Sequence, residues 1–348
     1  MNSEWAPDGL SVYTFPVERF GCCQEPSNAT NNSRFLVVVP SGQATDHTFV
    51  VQGGSSGHVT LASSPDPSDT SITYDIFIEG NPESLSKFGP TNPGLGPITT
   101  DFVINTPTDS NPPDSDGPPS CMRFDITMYI PSNLKRLAVN VSTPVQITFS
   151  PQGHVALDQV SINVSSTHPN CRIDCSESLQ ARNLTVEMSG GTIRGAISIG
   201  DYAQIMNWSG QIQLDTIPNV SSDLSKPSTA TLSTTTANGK VDIRYLRNQA
   251  YRKRRIESYH TMGTKATSIG RFDYGCSGFN GQLSANTTSY NVTDMSLWGP
   301  SGPPGKPPGK SPGKPPNTPA VLGNQTGDDV IYIKAGTGSV ILPGRPQL

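Results

Sequence analysis

A serine set between glycines is the first group in this chain whose spacing could do chemistry. Gly53-Gly54-Ser55-Ser56-Gly57 matches the nucleophile elbow, in which a strained turn from a strand into a helix lifts a serine hydroxyl into the open. The residues that follow, His58-Val59-Thr60-Leu61, alternate like a strand, so the turn lacks its helix and reads as a plain corner. His168, Cys171, Asp174 and Cys175 put three ligand types of zinc within one short stretch. No second cluster completes a tetrahedral set, and disulfide bonding is the better account of the cysteines. Gly327-Asp328-Asp329 has the adjacent carboxyls with which some β-helical glycosidases protonate one oxygen and activate water. No histidine follows it, and an acidic turn fits better. The five histidines, His47, His58, His154, His168 and His260, form no pair at ligand spacing. The expectation is a chain without catalytic residues, metal or cofactor.

Groups suited to binding or processing are more numerous. Arg252, Lys253, Arg254 and Arg255 form one concentrated basic run, readable as a solvated loop, as a site for a dibasic-specific protease, or as a polyanion contact. Trp208 and Trp298 could stack on sugar rings through their apolar faces, or simply pack. Ten sequons, at Asn28, Asn31, Asn140, Asn163, Asn183, Asn207, Asn219, Asn286, Asn291 and Asn324, are candidate glycan acceptors. Cys22, Cys23, Cys121, Cys171, Cys175 and Cys276 make an even set suited to disulfides in an oxidising compartment, with many pairings open. A net charge of −4 supplies no broad basic field, so nucleic acid is not an expected partner. Nothing approaches the roughly 20 apolar residues of a membrane span, and Met1 to Cys23 lacks the pattern of a signal peptide. The expected setting is extracellular or cell-surface, with the export signal or anchor not visible in this chain.

The elements that must position these groups are strands. A glycine, any residue and an apolar residue, usually followed by a spacer and a second apolar residue, recur from Gly57, Gly153, Gly191, Gly210, Gly239, Gly281 and Gly338. Each copy follows a turn-type residue and opens an alternating run, as a corner between two strands does. Gly210 follows Gly191 by 19 residues and Gly191 follows Gly153 by 38, with Asn170-Cys171-Arg172-Ile173 standing where an intermediate corner would fall. A repeat near 20 residues is the coil length of a β-solenoid. Longer spacings later in the chain are read as insertions: a basic one at 244–260 and a Pro/Gly/Lys-rich one at 298–319, the latter extended and solvated. An antiparallel sandwich or meander is the alternative, because Asn-Gly between apolar runs also marks a hairpin.

Phe124 to Val155 resembles the start of an adhesin-like β-solenoid domain found in bacterial and fungal surface proteins. Met128-Tyr129-Ile130-Pro131 and Leu137-Ala138-Val139 carry the likeness, and the runs LTVEMSGGTIRGAISIG and AQIMNWSGQIQLDTIP are similar to that family's repeats. The resemblance implies a right-handed solenoid without catalytic residues, covering 121–348, with 1–120 as an irregular β segment of the same architecture. It implies a surface protein that binds cell-wall or extracellular carbohydrate, or a surface protein, through loops. A carbohydrate-active enzyme on the same scaffold is the competing expectation, and a small-ligand β-barrel is a third.

Overall fold

The structure is a computed structural model that describes residues 31–40, 44–90, 94–95, 99–107, 122–218, 229–246, 255–263, 269–273, 281–290, 320–322 and 329–341. These residues are all-β apart from one short helix. In chain order the strands are β1 (Asn31–Pro40), β2 (Asp46–Gln52), β3 (Ser56–Ser63) and β4 (Ser71–Gly80), then helix α1 (Pro82–Lys87). There follow β5 (Gly89–Pro90), β6 (Gly94–Leu95), β7 (Thr99–Asn105), β8 (Met122–Ile130), β9 (Arg136–Val141), β10 (Val145–Phe149), β11 (Val155–Val164), β12 (Arg172–Cys175) and β13 (Leu179–Met188). The rest are β14 (Gly191–Pro218), β15 (Thr229–Tyr245), β16 (Arg255–Met262), β17 (Ile269–Asp273), β18 (Gly281–Tyr290), β19 (Ala320–Leu322) and β20 (Asp329–Ile341). All belong to one sheet of mixed orientation.

That sheet consists of two ladders. In the first, β7, β2, β9, β11, β13, β14, β15, β16, β20 and β18 pair in parallel, each with the next. In the second, β8, β3, β10, β12 and β14 pair in parallel, and the far halves of β15, β17 and β20 continue the run. Because β14 and β15 run through a corner, they belong to both ladders. The sheet therefore curls on itself into a flattened, barrel-like wall. Antiparallel pairs are β1 with β4 and β4 with β8, β5 and β6 with β7, and β18 with β19. In the body of the sheet the hairpin pairing of a meander is replaced by parallel pairing.

Alternation explains where the core sits. Successive side chains on a strand point to opposite faces, and parallel register stacks like upon like. Phe102, Phe49, Val139, Ile162, Val186, Ile205, Thr234, His260 and Ile333 follow one another across the first ladder as register partners, and all are buried. Ile126, Val59, Ile147 and Ile173 do the same on the second ladder. Each such aliphatic side chain contributes about 1.5–3 kcal/mol on burial, so the interior is a narrow column of apolar layers between two walls.

The corners follow the glycine pattern with one correction of phase. Gly191, Gly210 and Gly239 lie directly over one another: a Cβ on Gly210 would stand 1.9 Å from the Gly191 carbonyl oxygen, and one on Gly239 1.7 Å from that of Gly210. A Cβ on Gly191 would meet the Cys171 carbonyl oxygen at 2.0 Å, so Cys171 holds the corner position one rung earlier. Gly153 and Gly281 are out of this phase, since each leads into the first ladder and not the second. Within the column only Gly191 has positive φ, at 98°. Gly210 and Gly239 are glycine because neighbouring backbones touch there, not because the turn demands a left-handed residue.

Rung order does not follow chain order at either end. β2 and β3 lie between the β7–β8 rung and the β9–β10 rung, and β20, the last strand, is inserted between β16 and β18. At the first end Phe49, Tyr74 and Phe102 pack with ring centroids 4.6–6.2 Å apart. Helix α1 is capped by the Asn81 side chain, which accepts from the Ser84 N–H at 2.7 Å, with proline in its first turn. Phe88, at its end, stacks on Phe35 of β1 with centroids 6.0 Å apart. These contacts cover an interior that the stack alone would leave open.

Candidate binding face

The two walls present different outer surfaces. On the second, Arg172 and Arg194 both bond the Asp174 carboxylate, at 2.6–2.8 Å, and the Gln146 amide donates to it at 3.0 Å. Burial works to raise the Asp174 carboxyl, and the two guanidinium groups overcome it, holding the group below the usual carboxylate range. Arg123 pairs with Asp125 and Arg244 with Asp215. His58 meets the Thr148 hydroxyl at 2.9 Å, and loss of solvent pushes its ring below the ordinary histidine range against the pull of Asp125. These charges satisfy one another along the wall.

The outer surface of the first wall is nearly uncharged at its centre. From β2 to β15 its two middle columns are Thr48, Ala138, Ser161, Thr185, Gln204, Ser233 and Val50, Asn140, Asn163, Glu187, Met206, Thr235. Glu187 is the single charged group among these twelve positions. Tyr202, Trp208 and Tyr259, three of the large apolar side chains most exposed on the described surface, also belong to this wall.

A shallow groove of about 100 Å³ lies on it, lined by Val50, Gln52, Asn140, Ser142, Asn163 and Ser165. Register builds the groove: Asn140 and Asn163 are partners on adjacent strands, and the ladder bonds from Ser142 N–H to Val51 O (3.0 Å) and from Ser165 N–H to Val141 O (2.9 Å) extend the alignment to the serines. One rung beyond Asn163 comes Glu187, whose carboxylate accepts the Trp208 indole N–H at 3.0 Å. Trp208 is 48% exposed. It is aimed by its neighbour Asn207, buried at the corner, whose amide donates to the Gly191 carbonyl at 3.1 Å and the Gln211 carbonyl at 3.2 Å.

The groups singled out in the sequence are dispersed. Ser55 is buried at a corner and opens a strand, not a helix, so the elbow reading falls away. Cys171 and Cys175 point inward from β12, whereas Asp174, between them in alternation, points out to its arginines. Among the described residues no three metal-ligating groups converge. Arg255 opens β16 and pairs with Glu257 at 2.9 Å. Asn163 and Asn183 are exposed and Asn140 is half-buried, whereas Asn207 is fully buried with its amide engaged. Asn31 and Asn286 lie on β1 and β18; Asn28, Asn219, Asn291, Asn324, Cys22, Cys23, Cys121, Cys276, Trp298 and 252–254 lie outside the described residues.

Among the described residues no bridge joins Cys171 or Cys175 to another cysteine. Four residues of extended chain separate their Cα atoms by about 13 Å, beyond the reach of a disulfide. The rung neighbour of Cys175 is Gly195, and Gly191 backs on Cys171, so among the described residues neither thiol faces a cysteine. Burial, aided by Asp174, pushes the Cys175 thiol up to about 12. Unfolding the protein in iodoacetamide without reductant is expected to label both, while the native protein at pH 8 leaves Cys175 unlabelled. A peptide map showing the two residues bridged to each other would contradict the extended strand described here.

Two buried histidines went unrecognised as interior residues. His47 meets the Thr100 hydroxyl through Nδ1 at 2.7 Å and the Tyr74 hydroxyl through Nε2. His260 meets Thr234 through Nδ1 at 2.8 Å, lies 3.4 Å from the Tyr245 hydroxyl and stacks on Phe272. Their place in the apolar alternation, as in Asp46-His47-Thr48-Phe49, was the available signal.

No protein-family model and no curated protein sequence matches the chain. Among solved structures it is similar to a candidate adhesin of Bacteroides fragilis NCTC 9343, at 12% identity over 91% of this chain and 99% of that one, with a TM-score of 0.42. A candidate adhesin of Parabacteroides merdae ATCC 43184 aligns at 10% identity over 91% and 97%, with a TM-score of 0.43. A candidate lipid-binding protein of Parabacteroides distasonis ATCC 8503 aligns at 10% over 90% and 97%, with a TM-score of 0.36. Likeness at this level shows neither a family nor a ligand. Among the described residues no helix is long and apolar enough to cross a membrane.

Proposed function

We propose that this chain is a non-enzymatic, adhesin-like protein of the cell surface or extracellular space, a right-handed β-solenoid that holds a carbohydrate or a protein by a broad, shallow contact. The observation that carries this reading is the contrast between the walls: one pairs its charges with one another, and the other leaves amides and hydroxyls open around a groove and exposes aromatic rings elsewhere on the same wall. Hydrolysis of a glycoside needs two carboxyls about 5–10 Å apart across the scissile bond, and among the described residues the two middle columns from β2 to β15 hold one carboxyl, Glu187. The extracellular setting is supported by the sequons, of which Asn163 and Asn183 are exposed, and by the even set of six cysteines.

The test is binding by the full chain, made in a secretory host, to arrays of immobilised glycans and to intact cell surfaces. Saturable retention without any change in the bound saccharide is expected. Turnover of a bound saccharide would establish the enzyme instead, and reduced thiols throughout, with every asparagine bare on the native protein, would overturn the surface assignment.

A further inference from the structure

We infer that the groove between Gln52 and Asn163, with Trp208 beyond its end, takes a neutral saccharide chain lying across the rungs, an assignment that rests on the binding role proposed above and names its ligand. Three features of the groove converge on that chemistry. Its polar lining consists of amides and hydroxyls, Gln52, Asn140, Asn163, Ser142 and Ser165. Each both donates and accepts, as the hydroxyls of a sugar do. Parallel pairing repeats the lining at about 4.8 Å from rung to rung, so a chain crossing the strands meets an Asn–Ser pair on each of two successive rungs, at Asn140 and Ser142 and then at Asn163 and Ser165.

The third feature is the indole. Trp208 is held by its bond to Glu187, so its apolar face is already oriented, and a sugar ring stacking on it immobilises little that was free. It stands beyond the groove lining: Glu187, which it bonds, is the next rung after Asn163 and the partner of Met206 on the other side.

Other classes of ligand fit less well. The groove lining carries no charge, and the Glu187 carboxylate one rung beyond Asn163 would repel an acidic polysaccharide or nucleic acid. A protein hot spot needs several desolvated apolar or aromatic anchors at its centre, and here Trp208 stands without a second exposed anchor in the groove, Val50 being only half-exposed. Asn140 and Asn163 are also sequon residues, with Ser142 and Ser165 completing Asn-Val-Ser in both. The assignment requires both asparagines to be free of glycan, since a glycan on either would fill the groove.

Affinity electrophoresis of the full chain through gels containing a β-glucan, a mannan, a galactan or, for comparison, alginate tests this directly. Retardation by at least one neutral polysaccharide and none by alginate is expected. Trp208→Ala should weaken it by tenfold or more, Trp208→Phe should restore part of the loss, and Asn163→Ala should weaken it several-fold. Gln213→Ala on the other wall should leave it unchanged, with melting temperature confirming that all four fold. Retardation indifferent to Trp208 and Asn163 would sink the groove while leaving the adhesin reading intact. Selective binding of alginate, or of a protein and no saccharide, would also overturn it. Failure to bind any glycan or cell surface would remove both proposals. Glycopeptide mapping of native protein is the independent check, and a glycan on Asn140 or Asn163 would end the assignment.

Discussion

Gly239→Ala should cost the protein about 3 kcal/mol, the upper end of what overpacking a rigid core usually costs. The added methyl would stand 1.7 Å from the carbonyl oxygen of Gly210 and 2.8 Å from its carbon. A flexible side chain could move away from such a contact. This obstacle is backbone, in register with Gly239 and bound into the same parallel ladder. Relief would require pulling the two rungs apart at the corner, where Gly210 lies equally close on Gly191. Lys240→Ala, one residue further on at an exposed position, should change stability by less than about 0.5 kcal/mol. Urea unfolding followed by far-UV circular dichroism measures both. A Gly239→Ala midpoint within experimental scatter of the parent would show that the corners are not stacked as tightly as described.

Stability should also fall steadily as the pH is lowered from 6.5. His47 and His260 are buried, and loss of solvent pushes them down to about 4 and about 3 from an ordinary value of 6.5, with Asp101 opposing part of the shift at His47. Each neutral ring is satisfied by a threonine hydroxyl on one nitrogen, with a tyrosine hydroxyl near the other. Protonation would turn the acceptor nitrogen into a second donor in a site without solvent. Below pH 6.5 the unfolded chain binds protons that the folded chain refuses, so the histidine contribution is whole above that pH and is lost toward pH 4 and 3. Each histidine costs about 1.4 kcal/mol per pH unit over this window. From pH 6.5 to 4.5 the pair should together remove on the order of 4–5 kcal/mol. His47→Gln combined with His260→Gln should lower stability at pH 7 and flatten the pH dependence. An unchanged slope in the double variant would show that other groups cause the acid lability.

What could be read before folding was what depends on near neighbours. Alternation in runs such as Gln211-Ile212-Gln213-Leu214, after the Gly210 corner, assigned inward and outward side chains correctly, since the pleat sets a period of two whatever the rung partner. The Gly191, Gly210 and Gly239 corners were legible for a related reason: backbones touching at a corner exclude every side chain. The binding face was not legible. Gln52, Ser142, Ser165 and Trp208 are far apart in the chain and become neighbours only through register. Trp208 was noticed for its chemistry, but Glu187, which aims it, carried no local signal. His168, Cys171, Asp174 and Cys175 failed as a cluster in the converse way, because alternation sends adjacent groups to opposite sides of a wall.

By itself, then, the order of residues determined an all-β chain, its inward and outward side chains, several of its corners and the weak charge of its surface. Tertiary structure alone decided the phase of Gly153 and Gly281, the placing of β2 and β3 between later rungs, the insertion of β20 between β16 and β18, and with these the make-up of the groove. The division has a physical origin. Pleat and corner are local contacts with strong steric preferences, while joining distant strands costs a loop-closure entropy that grows only slowly with length, so many rung orders cost nearly the same until the stacked side chains select one.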